Sequence, residues 1–582
     1  MKKTIILILF NFLYLNLTSQ VSGNYKNLSL EKLYVHQNAT MLFVGEYLFY
    51  KIYCLEANTN KASESSKIAY VLLIDKNKNI VSKQKIELKN RFGQGEFFIP
   101  ATLKSGNYKL IAYTQWMQNN NDFNYYESNL NIINPYLGNQ GDVVKNIKIA
   151  NEKKADNSLI EKDKNFTDHR KFKLSTNKEY YNKREKVEVQ LLNAKDKYGF
   201  GNYSVSVKKL DSYNHLKNYS AREFYSDNFN KKITKKKYIK EHIPEIGGTL
   251  ISGNISVKNS TRIASNILVT VSIPGEELFM EIVLTDKKGD FLFFINEDFD
   301  GNKAIIQVVN KNRDDYLVAI NKPKIIDLDK VTFNPFKLTP DMEEDILRRS
   351  IHNQIENSYF SVKPDSIVES FQKQYFYNQE SSLVYKLEDY KKFENINEVF
   401  IEVVDPVFKE KIDSKIYFHI KFREDNFAED LIPLVLMDGI MVQDYESLLK
   451  FNANRVDRII VLKKRVHFRN KSYAGVIAIE TINKDFEGDF NSSLVTKTDI
   501  EKPLANKQYF NQNYEGLNKE NLNRIPDYRN QLFWLPRLEL KSSVSNFSFF
   551  TSDVVGFFEI NLEGFTNIGE AISLKKIIEV KN

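Results

Sequence analysis

The sequence predicts a mainly β protein, a string of β-sandwiches with one small α/β domain. Three observations carry this reading. At 582 residues the chain is too long for one core, because domains run about 100–200 residues. Phe and Tyr number 41 and 32, and flat side chains pack well on a pleated surface. Short alternating runs recur with turn residues between them, at the roughly 8–12-residue spacing of sandwich strands.

Composition narrows the function classes. Hydrophobic residues make up 42% and charged residues 27%, as in a globular chain. Only 22 Gly and 13 Pro speak against glycine-rich nucleotide folds and proline-rich linkers. A net charge of +8, spread over this length, is not the footprint of a nucleic-acid partner. The single cysteine, Cys54, excludes an intramolecular disulfide framework and cysteine-rich metal sites.

The N-terminus reads as an address. Lys2 and Lys3 precede the apolar run Ile5 to Leu17, and Thr18, Ser19, Ser22 and Gly23 follow. This is the charged, apolar, small-residue order of a secretory signal, placed at 1–23, with cleavage after Ser19 or Gly23. No later segment has the roughly 18 apolar residues of a spanning helix. The expectation is an exported protein at the outer membrane, on its periplasmic or cell-surface face.

Gly45 to Cys54 alternates, with Leu48, Tyr50, Ile52 and Cys54 on one face. Ile68 to Ile74 is a second strand, Asp75 to Asn79 its turn, and Ile80 to Leu88 the return. Ser105-Gly106-Asn107-Tyr108 opens a later strand. With Gly45-Glu46 at its start, the stretch 28–135 resembles the macroglobulin-like sandwich module, an Ig-like β-sandwich, of the alpha-2-macroglobulin family. That family's internal thioester needs Gly-Cys-Gly-Glu-Gln. Cys54 stands in Tyr-Cys-Leu-Glu, so covalent capture is not implied and a buried thiol is expected.

After a polar linker, Val187 to Leu191 and Tyr203 to Val207 form a second unit, 170–245, which resembles another macroglobulin-like module. It carries the basic loop Lys231, Lys232, Lys235, Lys236, Lys237 and Lys240. Such a run is a solvated loop or a surface for anionic lipid or polysaccharide. A third unit, 246–325, has the turn Asp286-Lys-Lys-Gly289 before Phe291 and Phe293. Asp bonds its own backbone and Gly tolerates positive φ, which suits a hairpin. These residues resemble the carboxypeptidase regulatory-like domain, a transthyretin-like sandwich that is not a peptidase. In envelope proteins of the Bacteroides–Flavobacterium type it often precedes a receptor plug.

A linking helix is predicted over 338–357, capped by Thr339 with Pro340 and acidic residues in its first turn. Leu347, Ile351 and Ile355 form an apolar stripe expected to pack against a neighbouring domain. In 383–486, Pro433 to Ile440 reads as a buried strand meeting the Asp438-Gly439 turn. Leu448 to Val461 reads as a helix and strand, and Tyr473 to Ile479 as a closing strand. This order resembles the plug domain of TonB-dependent outer-membrane receptors. It departs from that family by lacking Tyr-Gly-x-Arg before the last strand; Phe468 to Tyr473 stands there instead. Residues 487–582 are also too few for a barrel of about 22 strands of about 9–11 residues each. They read as a C-terminal sandwich around Trp534.

No chemistry-bearing motif emerges. The seven His stand at no zinc-helix spacing, and GxSxG, GxGxxG and GxxxxGK[ST] are missing. The reading is therefore non-enzymatic, with no catalytic, metal or cofactor residues expected. The plug-like domain, needing a cover for its sheet, makes Arg455, Asp457, Arg458 and Trp534 candidate interface residues. The expected role is a scaffold or binding subunit beside an outer-membrane β-barrel, in transport, secretion or protein assembly. The rival is a surface adhesin or glycan-binding protein.

Overall fold

In the computed structural model the described residues are 28–122, 125–138, 140, 168–169, 172–194, 196–211, 216–229, 231, 233–236, 242–275, 278–296, 299, 301–310, 312–367, 375–413, 415–421, 431–468, 471–486, 494–515 and 524–582. The expected signal at 1–23 lies outside them. The protein is mainly β, with β-sandwiches and one small α/β element, in two compact units. One unit holds Asn27–Ile246, Lys324–Glu369 and Pro503–Asn582; the other holds Gly247–Pro323 and Ser370–Lys502.

The first unit contains two sandwiches. In one, a three-stranded sheet (Glu31–Gln37, Tyr47–Glu56, Phe92–Phe98) faces a five-stranded sheet containing Ile68–Ile74, Ile80–Glu87 and Gly106–Tyr113. Leu48, Tyr50, Ile52 and Cys54 point into this core, as their alternation predicts. The opposite face of the same strand is not left to solvent. Lys51 is bonded to Asn202 and to the Tyr203 carbonyl, and the Tyr53 hydroxyl donates to the Glu563 carbonyl at 2.9 Å. That face packs on the second sandwich.

The second sandwich corrects the expected boundaries. Strand Lys186–Asn193 pairs along its length with Val544–Phe550, and Gly201–Lys209 lies between Gln531–Leu540 and Gly556–Thr566. The described residues of 172–209 and 531–580 therefore build one sandwich with one core, not two modules. The physical reason is edge satisfaction. Gly201–Lys209 has both ladder directions filled only by the C-terminal strands. Helix α1 (Ala221–Phe229) follows and docks on the first core through Phe224.

Helix α2 (Glu343–Ser358) begins after a 3₁₀ turn, Pro340–Met342, and the Thr339 side chain makes no cap bond. Its packing reverses the expectation from the apolar stripe. Arg349, Ser350 and Asn353 are the buried residues, whereas Leu347 is 60% and Ile351 48% exposed. The polar face wins because its partners are buried too. Arg349 binds Glu46 and Asp211 and stacks over Phe43, while Asn353 donates to the Val44 carbonyl at 2.7 Å. Gly45 explains the Gly-Glu pair of the sequence. Its φ is +87°, and a Cβ there would meet Asn357 Nδ2 at 2.7 Å and Asn353 Nδ2 at 2.9 Å.

The second unit pairs a sandwich with an α/β sheet. The sandwich has a three-stranded sheet around Thr249–Val257 and a four-stranded sheet that recruits Val495–Asp499 beside Lys303–Val308. That strand belongs to the stretch expected to start the C-terminal sandwich. In the hairpin, Asp286 Oδ1 accepts the Lys288 and Asp290 N–H groups and Gly289 has φ +82°. The α/β sheet runs in the order Leu383–Lys386, Val456–Leu462, Val476–Thr481, Leu434–Met437, Ile440–Met441. Helices α3 (Ile396–Glu402) and α4 (Tyr445–Leu449) cover one face through Val399, Phe400 and Leu448. The other face packs against Ile282 of the neighbouring sandwich, together with Tyr377 and Tyr473. The cover expected from the Leu347 stripe or from around Trp534 is supplied instead within this unit, because Ile282 shares one buried core with Leu436, Ile460 and Ala478.

Candidate functional site

The charged candidates on the α/β sheet divide into structural and surface groups. Arg458 directs Nε and Nη2 to Glu480 Oε2 at 2.8 and 2.7 Å, and Glu480 is buried. Burial works against the Arg458 charge, but Glu480 outweighs it and raises the guanidinium pKa. Arg458 is thus committed to holding two strands together. Arg455 pairs with Asp485 at 3.1 Å and lies over the Phe451 ring, and Asp457 is exposed. Asp438, at φ +46°, accepts the Thr481 and Phe486 N–H groups and so fastens the turn.

Of the basic loop, Lys231 is exposed. Lys235 lies over the Trp116 ring at 4.7 Å, and the Lys236 N–H donates to the Asn119 carbonyl. Two of these lysines are engaged with the first sandwich. Lys232, Lys237 and Lys240 lie outside the described residues.

Trp534 is 5% exposed and forms part of the wall of a cleft in the first unit, with a cavity of about 200 Å³. Strand Tyr47–Glu56 supplies Tyr47 and Phe49, which as i and i+2 residues share a face. A row of near-parallel rings results. Phe360 and Tyr47 are 5.9 Å apart at 13°, Tyr47 and Phe49 5.8 Å at 11°, and Phe49 and Trp534 6.1 Å at 19°. Tyr509 meets Phe49 edge-on at 5.0 Å. Amides of Asn38, Asn353, Asn357 and Gln531 also line the cleft. The Trp534 indole N–H is buried without a hydrogen-bond partner.

The charged lining groups already have partners. Lys363 Nζ donates to Glu356 at 2.7 Å, Arg529 to Asp527 at 2.7 Å, and Asp365 accepts the Phe510 N–H at 2.9 Å. Burial works to raise the Glu46 carboxyl, but Arg349 outweighs it and holds it below the usual carboxylate range. Burial lowers Lys208 to about 8, and its Nζ donates to the Met41 carbonyl at 3.1 Å. Sequence reasoning named Trp534 but missed Tyr47, Phe49, Phe360 and Tyr509. The i, i+2 aromatic pair was the one signal available.

Elsewhere, His36 Nδ1 and Ser204 Oγ stand 2.6 Å apart, but both are fully enclosed between the two sandwiches and Tyr53 also holds Ser204. Nothing opens that pair to a substrate. Among the described residues, no cluster of three His, Cys, Asp or Glu side chains fits a metal ion, and no helix is long and apolar enough to cross a membrane.

No protein-family model matches the chain, and no curated protein matches it. Among solved structures it is similar to Escherichia coli alpha-2-macroglobulin activated by porcine elastase, at 8% identity and a TM-score of 0.24, over 94% of this chain and 44% of that one. Salmonella alpha-2-macroglobulin reacted with methylamine matches at 8% identity and a TM-score of 0.23, over 95% and 40%. The chain spans less than half the length of these proteins. At this identity and TM-score, nothing of theirs transfers to it.

Proposed function

We propose that the chain is an exported, non-enzymatic envelope protein that serves as a binding or scaffold subunit of an outer-membrane transport, secretion or protein-assembly complex. The observation that carries this reading is helix α2. It spends its polar face on intramolecular bonds and turns Leu347 and Ile351 outward, with Tyr359 continuing the same four-residue spacing. A helix that docks by its polar side and leaves an apolar stripe free presents a contact for another protein. The α/β domain resembles a receptor plug, and its surface groups Arg455 and Asp457 provide a polar rim suited to a non-obligate interface. The Lys2-Lys3 leader supports export.

The test is to recover the native protein from its own membranes and identify what comes with it. Co-purification of an outer-membrane β-barrel, lost in the Leu347→Asp/Ile351→Asp variant, is expected. Recovery of the folded protein without any barrel overturns the reading. The second reading, a glycan-binding surface protein, is favoured by the aromatic cleft.

A further inference from the structure

Strand Tyr316–Ile320 ends the three-stranded sheet of the second unit, pairing on one side with Thr249–Val257. Hydrogen-bond parity shows which of its groups face out. The Asn321 N–H donates to the Ser252 carbonyl at 2.8 Å, and the Lys258 N–H to the Asp315 carbonyl at 2.7 Å. The register between these bonds is unbroken. In an antiparallel ladder, alternate residues turn their N–H and C=O groups to the same neighbour. Asp315, Leu317, Ala319 and Asn321 therefore bond inward, and Tyr316, Val318 and Ile320 turn theirs outward. The Tyr316 N–H is answered by the Arg313 carbonyl. Among the described residues, no protein group answers the N–H or C=O of Val318 or Ile320.

Elsewhere the chain closes sheet edges with itself. Val495–Asp499 pairs with Lys303–Val308, Tyr180–Tyr181 with Ala571–Val580, and the Leu504 N–H donates to the Lys85 carbonyl. Tyr316–Ile320 carries no charge along its length, and its Leu317 is 53% exposed. An open, uncharged edge is a template for another strand.

The ends of the strand select the occupant. Set antiparallel to a second copy of itself about Val318, every outward residue meets an outward residue. Val318 meets the partner's Val318, and Tyr316 meets the partner's Ile320. The Val318 N–H then donates to the carbonyl of the partner's Val318, and the Ile320 N–H to the carbonyl of the partner's Tyr316, in both directions. The same register sets Asp314 opposite the partner's Lys322, again in both directions. Asp314 and Lys322 are exposed, and among the described residues neither is in an ion pair. A slip by one residue would put outward groups against inward ones.

We propose that Tyr316–Ile320 is the seam of a two-fold homodimer, in which two copies of this chain join their three-stranded sheets into one continuous sheet.

Sedimentation velocity of the purified full chain over a concentration series tests this. One strand seam belongs with interfaces under about 1,200 Å², so the dimer should be weak. A rise in mass from one chain to two below about 1 mM is expected. Val318→Pro removes an outward N–H that the fold does not use, at an edge position where proline is tolerated, and should abolish the dimer. Asp314→Lys and Lys322→Glu each set like charges opposite one another and should weaken it about tenfold. The double variant Asp314→Lys/Lys322→Glu swaps the pair and should restore it. Leu347→Asp/Ile351→Asp, altered in the other unit, should dimerise like the parent. Circular dichroism checks that each variant is folded. A parent that stays monomeric throughout overturns the proposal and leaves this edge to an extended segment of another protein. It is also overturned if folded Val318→Pro dimerises like the parent, if the double variant is no better than the single ones, or if Leu347→Asp/Ile351→Asp removes the dimer.

Discussion

Arg349 holds Glu46 with two bonds, Nε to Oε1 at 2.9 Å and Nη2 to Oε2 at 2.8 Å, across 303 positions of sequence. This pair, with Asp211, decides which side of α2 faces inward. Removing one partner strands a buried charge, which costs about 3–5 kcal/mol. Arg349→Met is therefore expected to lower stability by that order in urea unfolding. Adding Glu46→Gln should recover part of the loss, because only one of the two carboxylates that Arg349 held, Asp211, is then left without it.

Gly45→Ala tests the same junction sterically. A side chain at φ +87° costs about 1–2 kcal/mol, and its Cβ would also press on Asn353 and Asn357. A loss above 1 kcal/mol in thermal or urea unfolding is expected, with no change in the isolated reactivity of Cys54.

Cys54 is fully buried, and burial pushes its thiol well up, with Glu31 beside it adding to the rise. The native protein should resist thiol reagents over hours and react at once in denaturant. Cys54→Ala should cost about 1–2 kcal/mol and leave partner binding unchanged.

Two buried groups give opposite pH slopes. Burial raises Glu563 to about 7 from 4.5, against the hydrogen bonds from Ser573 and the Ala221 N–H. Its contribution is full below about pH 4.5 and falls as pH rises towards 7, because only the unfolded chain ionises there. Burial lowers His36 to about 3 from 6.5, with Lys51 and Lys575 adding. Its contribution is full above 6.5 and falls as pH drops towards 3. Between pH 4.5 and 6.5 the two slopes oppose each other. In urea unfolding across this window, Glu563→Gln should expose a profile that rises with pH. His36→Gln should expose one that falls.

Arg455 and Arg458 should separate cleanly. Arg455 is a surface pair with Asp485, and Arg455→Glu should change stability by less than about 1 kcal/mol. Arg458→Glu faces buried Glu480 and should cost about 1–3 kcal/mol. Only the first variant tests docking in membrane co-purification without disturbing the sheet.

Local chemistry was legible in the sequence and long-range pairing was not. Ile68–Ile74 and its return strand, the inward face Leu48-Tyr50-Ile52-Cys54, and the Asp286–Gly289 turn follow from period-two alternation and turn residues, and the structure has them. The sharing of one sandwich by residues near 190 and 550 left no local trace, since either stretch alternates well enough to suggest a module of its own. The stripe on α2 misled because apolar periodicity does not reveal a buried carboxylate waiting elsewhere for Arg349. Trp534 stood out as a large ring. Its neighbours Tyr47, Phe49 and Phe360 come from distant segments, so the cleft itself could not be read.

The shared sandwich has a consequence for how the chain matures. Gly201–Lys209 emerges from the ribosome long before either of its flanking strands, Gln531–Leu540 and Gly556–Thr566, exists. Until those two strands are made, it offers both of its open sides to any neighbouring chain. Native assembly of the unit thus waits for strands that are made much later than the one they flank. A nascent or prematurely stopped chain is its aggregation-prone form, and a chaperone that guards the segment around residues 186–209 would protect the step at greatest risk.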